Sequence, residues 1–319
     1  MFINSTNNID NVNIPDEFIE ITSLLKLHKK NMRKQVLGIL HQNFNNDCEE
    51  SKRQLMDIME YSLSSNEDYY RSFFVRILGE SLELNKPKTT FIGAIIEMLH
   101  SYVIMQNAMP DFENDDFQFN HQTCHKKFGN AETIIALNAL INFIMETITS
   151  TNLIKINDSD RCNLVKIISK YSGKDGISSG QMMKIILKKK QKKNSQDENT
   201  RIKKLKINSL FNAGAECVQL LTNTSSKQNI SIKNYINNLC NLINIYNEIT
   251  TNCCCENNSA LIERIKLLTS QGCDSVLMFQ NNSKLVSFIK YNGYRIKKTI
   301  DNNTSSRPII AVNSKIETL

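Results

Sequence analysis

Residues 97–131 read EMLHSYVIMQNAMPDFENDDFQFNHQTCHKKFGNA, and this stretch decides the fold. Its first part belongs to an apolar segment, 88–108, that we predict as a helix. An earlier helix at 69–84 ends before Asn85-Lys86-Pro87, because proline disfavours helical geometry in the residue before it. Three acidic residues then mark a predicted solvated loop: Asp111, Asp115 and Asp116.

Apolar residues recur every three or four positions through most of the remaining chain, which is the pattern of amphipathic helices. We predict a pair of helices within 16–64 and single helices at 130–150, 158–172, 203–222, 231–250, 259–270 and 281–298. No internal repeat and no linker divides them. The sequence therefore predicts one all-α domain of about ten helices over 16–300, after a disordered segment 1–15 and before a polar tail 301–319.

Composition excludes several fold classes. The chain has 319 residues, of which 40% are apolar, 22% are charged, ten are Gly and four are Pro. Sandwiches, barrels and dinucleotide-binding folds need more turn residues than this. The chain is also long and apolar enough to bury a core without disulfides or metal. Nine Cys and no secretory signal predict a reducing, cytoplasmic compartment.

The formal charge of +7 is concentrated in one segment. Residues 184–206 hold ten basic and two acidic side chains, so the rest of the chain is close to −1. A dedicated nucleic-acid binder would spread Lys and Arg over a whole surface, so we predict no nucleic acid as partner. Lys188–Lys193 is either a solvated loop or a site for an anionic partner such as acidic lipid headgroups.

For two further segments we predict the absence of a membrane span and of a zinc site. Ile134–Ile148 is interrupted by polar residues and is too short to span a bilayer, so we predict a buried core helix and no transmembrane segment. Cys253–Cys255 are adjacent in sequence and point in different directions. They do not complete a four-ligand zinc site.

Residues 97–131 resemble the first aspartate-rich region of the trans-isoprenyl diphosphate synthases, most closely the bacterial short-chain farnesyl type. Gly176-Ile-Ser-Ser-Gly180-Gln181 and the later Lys206 extend the likeness, and so does Arg71 near the start. The resemblance implies an all-α isoprenoid-synthase-like bundle around a central cavity. The matching positions of the long stretch are Glu97, His100, Tyr102, Pro110, Asp115, Asp116, Thr123, Cys124, His125, Lys127, Phe128 and Gly129.

The family reaction, as the resemblance implies it, depends on Mg²⁺ that neutralises a leaving diphosphate and is held by two aspartate-rich motifs. Here Asn107 and Ala108 stand at two aspartate positions of the first motif, and Glu113 stands at the third. The second motif would fall at 241–248, where Asn241 and Asn244 replace its Gln and first Asp and only Glu248 keeps a negative charge. Asn107, Glu113 and Glu248 are therefore degenerate metal positions that we predict not to bind Mg²⁺.

The cationic positions that would bind diphosphate are eroded as well. The family's Lys and Arg are replaced by Asp68 and Tyr69, and its Arg pair by Gln118 and Phe119. Lys184 stands where the family has an aspartate. The resemblance leaves Lys206 and Gln181 as residual catalytic residues. It also leaves four substrate-binding residues: Arg71, His100, Tyr102 and Lys206. For His100 a helix-packing or hydrogen-bonding role is favoured over that of a general base. Tyr102 is either the aromatic that limits the elongating chain in the family or a core Tyr.

Three functional hypotheses follow. The first is a catalytically impaired family member that serves as a partner or regulator of an active synthase, or a degenerate paralogue. The second is an active short-chain prenyltransferase in which Asn107, Asp111, Glu113 and Glu248 form a weaker Mg²⁺ site. The third is a nucleic-acid module that uses residues 184–206. The resemblance also implies a homodimer, or a heterodimer with an active synthase, and an isoprenoid diphosphate as a possible ligand.

Overall fold

A computed structural model describes residues 14–43, 49–67, 69–150, 153–190, 195–251 and 258–305. Within these ranges the chain forms one two-stranded hairpin, β1 (Phe117–Gln118) and β2 (His121–Gln122), and one π-helical turn, Lys204–Asn208. All other regular structure there is α-helical: α1 (Asp16–Gln42), α2 (Glu50–Ser65), α3 (Tyr70–Ser81), α4 (Lys86–Ala108), α5 (Cys124–Phe128), α6 (Asn130–Thr149), α7 (Asp158–Ser172), α8 (Ile177–Lys189), α9 (Gln196–Lys203), α10 (Ser209–Leu220), α11 (Ser226–Thr251), α12 (Asn258–Ser275) and α13 (Ser283–Ser305).

The predicted all-α class is confirmed. Helix α4 is the centre of the bundle and contacts α1, α2, α3, α6 and α10. Beside it, Phe74 on α3 stacks on Tyr235 of α11 with 5.9 Å between ring centroids, and it also contacts Phe211 of α10 at 5.6 Å. Aromatic side chains thus fill the core between α3, α10 and α11. The central cavity that the resemblance implies stays a prediction.

The start of α4 follows directly from local sequence. Pro87 occupies the first turn, where its missing N–H removes no helical hydrogen bond. Asn85 precedes the helix, and its Oδ1 accepts a hydrogen bond from the Lys88 amide at 3.0 Å. The break predicted at residues 85–87 is therefore a helix cap, and it places the first-motif residues at the other end of α4.

Residues 177–203 differ from the prediction. The sequence predicts no helix between 172 and 203 and allows a solvated loop at Lys188–Lys193, whereas α8 reaches Lys189 and α9 begins after Ser195. Ser195 and Glu198 form a capping box, in which each side chain bonds the other residue's backbone N–H. Lys is also a good helix former, so a run of Lys does not by itself indicate a loop. Residues 191–194 lie outside the described ranges.

Helix α13 continues to Ser305, five residues beyond the predicted end at 300. The predicted disordered segment lies outside the described residues up to 13, as does the polar tail from 306 onward. Cys253–Cys255 also lie outside them.

Helix α6 is longer than the predicted core segment. Among the described residues, Asn130–Thr149 is the one helix that is long and apolar enough to cross a membrane by length and composition. In the bundle it packs against α2, α4, α5 and α7, as a core helix does. Its outer side leaves Ile134 and Ile135 more than half exposed.

Candidate active-site region

The first-motif residues lie at the end of α4, facing the π-helical turn. Asn107 is buried, and its Oδ1 accepts a hydrogen bond from Lys206 Nζ at 3.2 Å. Lys206 belongs to the Lys204–Asn208 turn, whose wider winding is a feature often found at functional sites. The structure therefore brings together a candidate metal position and a candidate catalytic residue that are 99 positions apart.

Helix α8 closes the region from the other side. A Cβ on Gly180 would lie 2.8 Å from the Cβ of Leu205 and 3.0 Å from the Cγ of Lys206, so only glycine allows α8 to approach the π-helical turn this closely. The next residue, Gln181, is buried, and its Oε1 has no hydrogen-bond partner within the described part of the chain. Gly180 thus lets the start of α8, where Gln181 lies, pack against the turn that carries Lys206.

Glu113 forms an ion pair with Lys184, the residue at a family aspartate position. Burial raises the pKa of Glu113, but the hydrogen bond and charge of Lys184, together with the charge of Lys206, outweigh it, so the pKa is below its ordinary value. Glu113 is therefore ionised and already neutralised by a side chain of the same protein. A ligand that needed this carboxylate would first have to displace Lys184.

Lys206 has the most altered pKa of the region. The pKa of Lys206 is lowered to about 8, mainly by burial and in addition by the nearby charge of Lys184, while the charge of Glu113 opposes both. Its Nζ donates a hydrogen bond to the neutral amide of Asn107. The ammonium therefore begins to lose its proton roughly two pH units lower than an exposed lysine does.

The second-motif helix, α11, shows the same pattern. Glu248 forms an ion pair with Lys203 at the end of α9. Asn241 and Asn244, at two other positions of that motif, line a pocket of about 350 Å³ next to this pair. All three degenerate metal positions thus contact a lysine: Asn107 contacts Lys206, Glu113 contacts Lys184, and Glu248 contacts Lys203.

Mg²⁺ does not fit the side chains at these positions. It requires near-octahedral oxygen ligands and is held in proteins by carboxylates. Within the described ranges, no group of three His, Cys, Asp or Glu side chains converges as a metal site would require. The carboxylates at the two motif ends each bind an ammonium instead, which satisfies their charge.

Two predicted substrate-binding residues lie in the buried layer between α3 and α4. Arg71 is 2% exposed, and its guanidinium lies 5.5 Å from the ring centroid of Phe211. His100 is fully buried, with Nδ1 at 3.3 Å from Asn66 Nδ2 and 3.5 Å from a Glu97 oxygen. Each therefore packs within the bundle, and for His100 the contacts favour the hydrogen-bonding interpretation.

Tyr102 and the residues that replace the family's cationic side chains lie in largely apolar surroundings. Tyr102 is half-buried, which raises its pKa, and its hydroxyl accepts a hydrogen bond from Gln106 at 3.3 Å. Tyr69 is 2% exposed, and Asp68 lies outside the described ranges. Phe119 is buried in the hairpin turn, where it lines a pocket of about 30 Å³ together with Ala108. An arginine position and an aspartate position are thus both filled by apolar side chains.

The hairpin geometry explains how Phe119 is accommodated. Phe119 and Asn120 both have positive φ, at 49° and 65°. They form the two-residue loop between β1 and β2, in which Gln118 pairs with His121. This is the type I′ geometry that favours Asn or Gly and is strained for Phe. Sequence reasoning missed the hairpin because these two-residue strands are too short to show alternation.

Comparison with known proteins agrees with this picture of the fold. A sequence model of the polyprenyl synthetases matches residues 52–250, which include every candidate site residue. The farnesyl diphosphate synthase of Haemophilus influenzae is 30% identical over 137 residues, 43% of this chain and 46% of that protein. The farnesyl diphosphate synthase of Micrococcus luteus is 28% identical over 155 residues, 49% and 52% of the two chains. The chain therefore spans about half the length of the curated relatives it matches.

Solved structures extend the likeness over most of the chain. An FPP/GFPP synthase from Zymomonas mobilis superposes with a TM-score of 0.77 at 18% identity, covering 86% of this chain and 98% of that one. A geranyltransferase from Legionella pneumophila has the same TM-score and identity, with coverage of 88% and 98%. At this identity the likeness establishes the fold. Together with the sequence match over 52–250, it shows that the chain belongs to the polyprenyl synthetase family.

Proposed function

We propose that this chain is a member of the polyprenyl synthetase family of isoprenoid biosynthesis that does not itself catalyse Mg²⁺-dependent condensation. Its role is that of a partner or regulatory subunit of an active synthase, in a reducing, cytoplasmic compartment. The observation that carries this proposal is the occupation of all three degenerate metal positions by lysine contacts.

The chemical argument concerns charge. A leaving diphosphate needs divalent metal to neutralise it, and the metal needs free carboxylates. In this chain Lys184 and Lys203 neutralise Glu113 and Glu248, and they would repel a cation approaching either carboxylate. Each lost metal ligand removes charge stabilisation that the remaining Asn107 and Ala108 cannot supply. The proposal therefore follows from the side chains that stand at the metal-ligand positions.

The proposal predicts no significant turnover. Purified protein with isopentenyl diphosphate, geranyl diphosphate and millimolar Mg²⁺ is expected to form product below about 10⁻³ s⁻¹, a thousandfold below the low end of common enzyme turnover. Extraction and quantification of radiolabelled prenyl product measures this rate. The Haemophilus influenzae farnesyl diphosphate synthase, assayed in parallel, is the positive control. A Mg²⁺-dependent rate of about 1 s⁻¹ or more would contradict the proposal.

A second candidate function, an active short-chain prenyltransferase, has one observation in its favour. Asn107 Nδ2 and Gln181 Oε1 are buried and have no hydrogen-bond partner within the described ranges. Buried polar atoms without a partner are a feature of sites that take a polar ligand. This candidate requires Glu113 as a metal ligand, so Glu113→Ala would abolish whatever turnover exists. An unchanged residual rate in that variant would exclude it.

The nucleic-acid hypothesis receives less support. Lys184 and Lys203 pair with Glu113 and Glu248, and Lys206 is buried against Asn107. Three of the basic residues of 184–206 thus have internal partners. Fewer cations of this segment remain to contact a polyanion than the sequence alone implies.

The surface of α6 supports the proposed association with a second family member. Ile134 and Ile135 are 51% and 59% exposed, adjacent on one side of a helix whose other side packs in the bundle. These two adjacent apolar side chains offer a surface for contact with a second family member. The double variant Ile134→Asp/Ile135→Asp is expected to convert a dimer into a monomer, measured as molar mass by light scattering after gel filtration.

A matched control uses another exposed isoleucine. Ile230, on α11, is 62% exposed, so Ile230→Asp makes a similar change away from α6. We expect this control to keep the molar mass of the wild type. A wild-type chain that is monomeric alone and with an active synthase would refute the proposed association.

A further inference from the structure

A groove of about 580 Å³ lies between α1, α12 and α13, and among the described residues that line it none belongs to the two metal motifs. Its apolar side chains come from all three helices: Phe18 of α1, Ile262 and Ile265 of α12, and Tyr294 of α13. Phe18 packs against Tyr294 with 5.1 Å between ring centroids. The volume and the apolar lining are those of a pocket that holds a bound group.

The charged side chains of the groove lie at its rim, whereas its floor is apolar. Lys290 and Lys297 are exposed and lie on the same side of α13. Lys266 of α12 is also exposed and forms an ion pair outside the groove lining, with Glu263. By contrast, Ile265 is 5% exposed. A segment that fills the groove would therefore bury apolar surface while the lysine charges stay in water.

Helix α13 forms one wall of the groove and continues beyond it. The side of α13 that lines the groove spans 290–297, and the helix ends at Ser305, eight residues after Lys297. At 1.5 Å per residue, the end of the helix lies about 12 Å beyond Lys297 and about 22 Å beyond Lys290. A segment that follows Ser305 and turns back along α13 would meet the groove over this range of distances.

The tail that the sequence predicts as polar contains one apolar run at the matching distance. Ile309-Ile310-Ala311-Val312 begins four residues after Ser305. An extended chain covers about 3.3 Å per residue, so these side chains can lie about 13 to 23 Å from the end of α13. Pro308 directly precedes the run, and it disfavours helical geometry at Arg307. The sequence thus favours an end of the helix before the apolar run begins.

We propose that residues 309–312 of this chain bind in the groove between α1, α12 and α13, running antiparallel to α13. Ile309 then lies near Lys297, and Val312 lies near Lys290. The driving force is the removal from water of both the apolar run and the apolar floor of the groove. This inference goes beyond the proposed function and does not depend on it, because the groove shares no residue with the motif positions.

Cys273 provides a reporter for this contact. It is a half-buried free thiol of α12 that lines the groove. The preceding residue, Gly272, packs against the side chain of Ile289, so Cys273 lies at the end of the groove where Lys290 lies. In the full chain carrying Val312→Cys, mild oxidation with copper phenanthroline is therefore expected to link position 312 to Cys273, since a disulfide requires Cα atoms within about 7 Å.

Mass spectrometry of proteolytic peptides from the monomeric protein identifies the linked pair. Cys162, which is exposed on α7 and does not line the groove, is the internal control for random collision. We expect little linkage of position 312 to Cys162. In Val312→Cys/Cys273→Ser the main linked peptide is expected to disappear.

A second measurement needs no new cysteine. Ile309→Asp/Ile310→Asp places two carboxylates in the apolar run, so it is expected to release the segment and to raise the rate of iodoacetamide labelling at Cys273 about fivefold. The matched control, Asn313→Asp/Ser314→Asp, adds the same charge just after the run and is expected to keep the wild-type rate. Labelling of Cys162 is expected to be equal in all three proteins.

Two results would overturn the inference. One is linkage of position 312 to Cys162 as often as to Cys273. The other is labelling of Cys273 at the same rate in Ile309→Asp/Ile310→Asp and in the wild type, which would assign the groove to another occupant or to solvent. Circular dichroism verifies that the variants keep their helical content.

Discussion

Replacing Arg161 with alanine is expected to lower the free energy of unfolding by about 3 kcal/mol. Arg161 is 4% exposed, on the first turn of α7. Its guanidinium donates hydrogen bonds to the carbonyl oxygens of Ile148, Ser150 and Ile154, at 2.9, 2.6 and 2.5 Å. These carbonyls belong to the end of α6 and to the connection that follows, so alanine leaves them without a charged donor.

Guanidinium chloride denaturation, followed by circular dichroism, measures this loss. Lys166→Ala is the control, because Lys166 is exposed on the same helix, and we expect it to change stability by less than about 0.5 kcal/mol. Arg161→Lys keeps the charge without the planar fork and is expected to fall between the two. A loss below about 1 kcal/mol in Arg161→Ala would show that water replaces the guanidinium at these carbonyls.

Arg161 also illustrates a limit of sequence reasoning. The spacing of apolar residues predicts α7 over 158–172, and the helix has those bounds. Yet Asp158-Ser-Asp-Arg161 has the composition of a solvated helix start. Nothing local indicates that the arginine points inward, because its acceptors lie 7 to 13 residues earlier in the chain.

The fold was predictable where a physical signal is local. The helix near 88–108 and its preceding break follow from apolar spacing and from Pro87, and α4 begins after the cap at Asn85. The capping box at Ser195 and Glu198 is an equally local signal for α9, but the lysine-rich neighbourhood obscured it. Helical periodicity also cannot reveal an isolated two-residue hairpin such as 117–122.

The candidate site was predictable only in its parts. Sequence comparison identifies Glu113 and Lys184 as altered positions, but it does not show that they pair across 71 residues of chain. Glu248 and Lys203 are 45 residues apart. Such pairs depend on how α8, α9 and α11 pack around the π-helical turn. Their consequence, neutralised carboxylates in place of a metal site, emerges only in three dimensions.

The pH dependence of stability is expected to change strongly when Lys206 is replaced by methionine. The pKa of Lys206 is about 8 in the folded chain because burial disfavours the charged form, and near 10.4 in the unfolded chain. Between these values the unfolded chain binds more protons, so this group makes stability rise with pH. Below about pH 8 both states are protonated, and the folded chain carries the full cost of the buried ammonium.

Lys206→Met removes this contribution. At pH 7 we expect Lys206→Met to have a higher free energy of unfolding than the wild type. Between pH 7 and pH 10 the wild type is expected to gain on the order of 3 kcal/mol of stability relative to the variant. Denaturation at pH 7, 8, 9 and 10 measures it, and other titrating groups cancel in the difference. Parallel profiles for the two proteins would contradict the lowered pKa.

Asn107→Asp tests the titration of Lys206 by changing its hydrogen-bond partner. The new carboxylate would lie where the amide oxygen now contacts Lys206 Nζ at 3.2 Å, and an opposite charge at that distance raises the pKa of a lysine. The rise in unfolding free energy above pH 8 is therefore expected to be smaller in Asn107→Asp than in the wild type.

Restoring an aspartate at this position would thus first create an ion pair with Lys206. Because a carboxylate bound to an ammonium is a poor Mg²⁺ ligand, reversal of Asn107 alone is expected to leave the protein without Mg²⁺-dependent turnover.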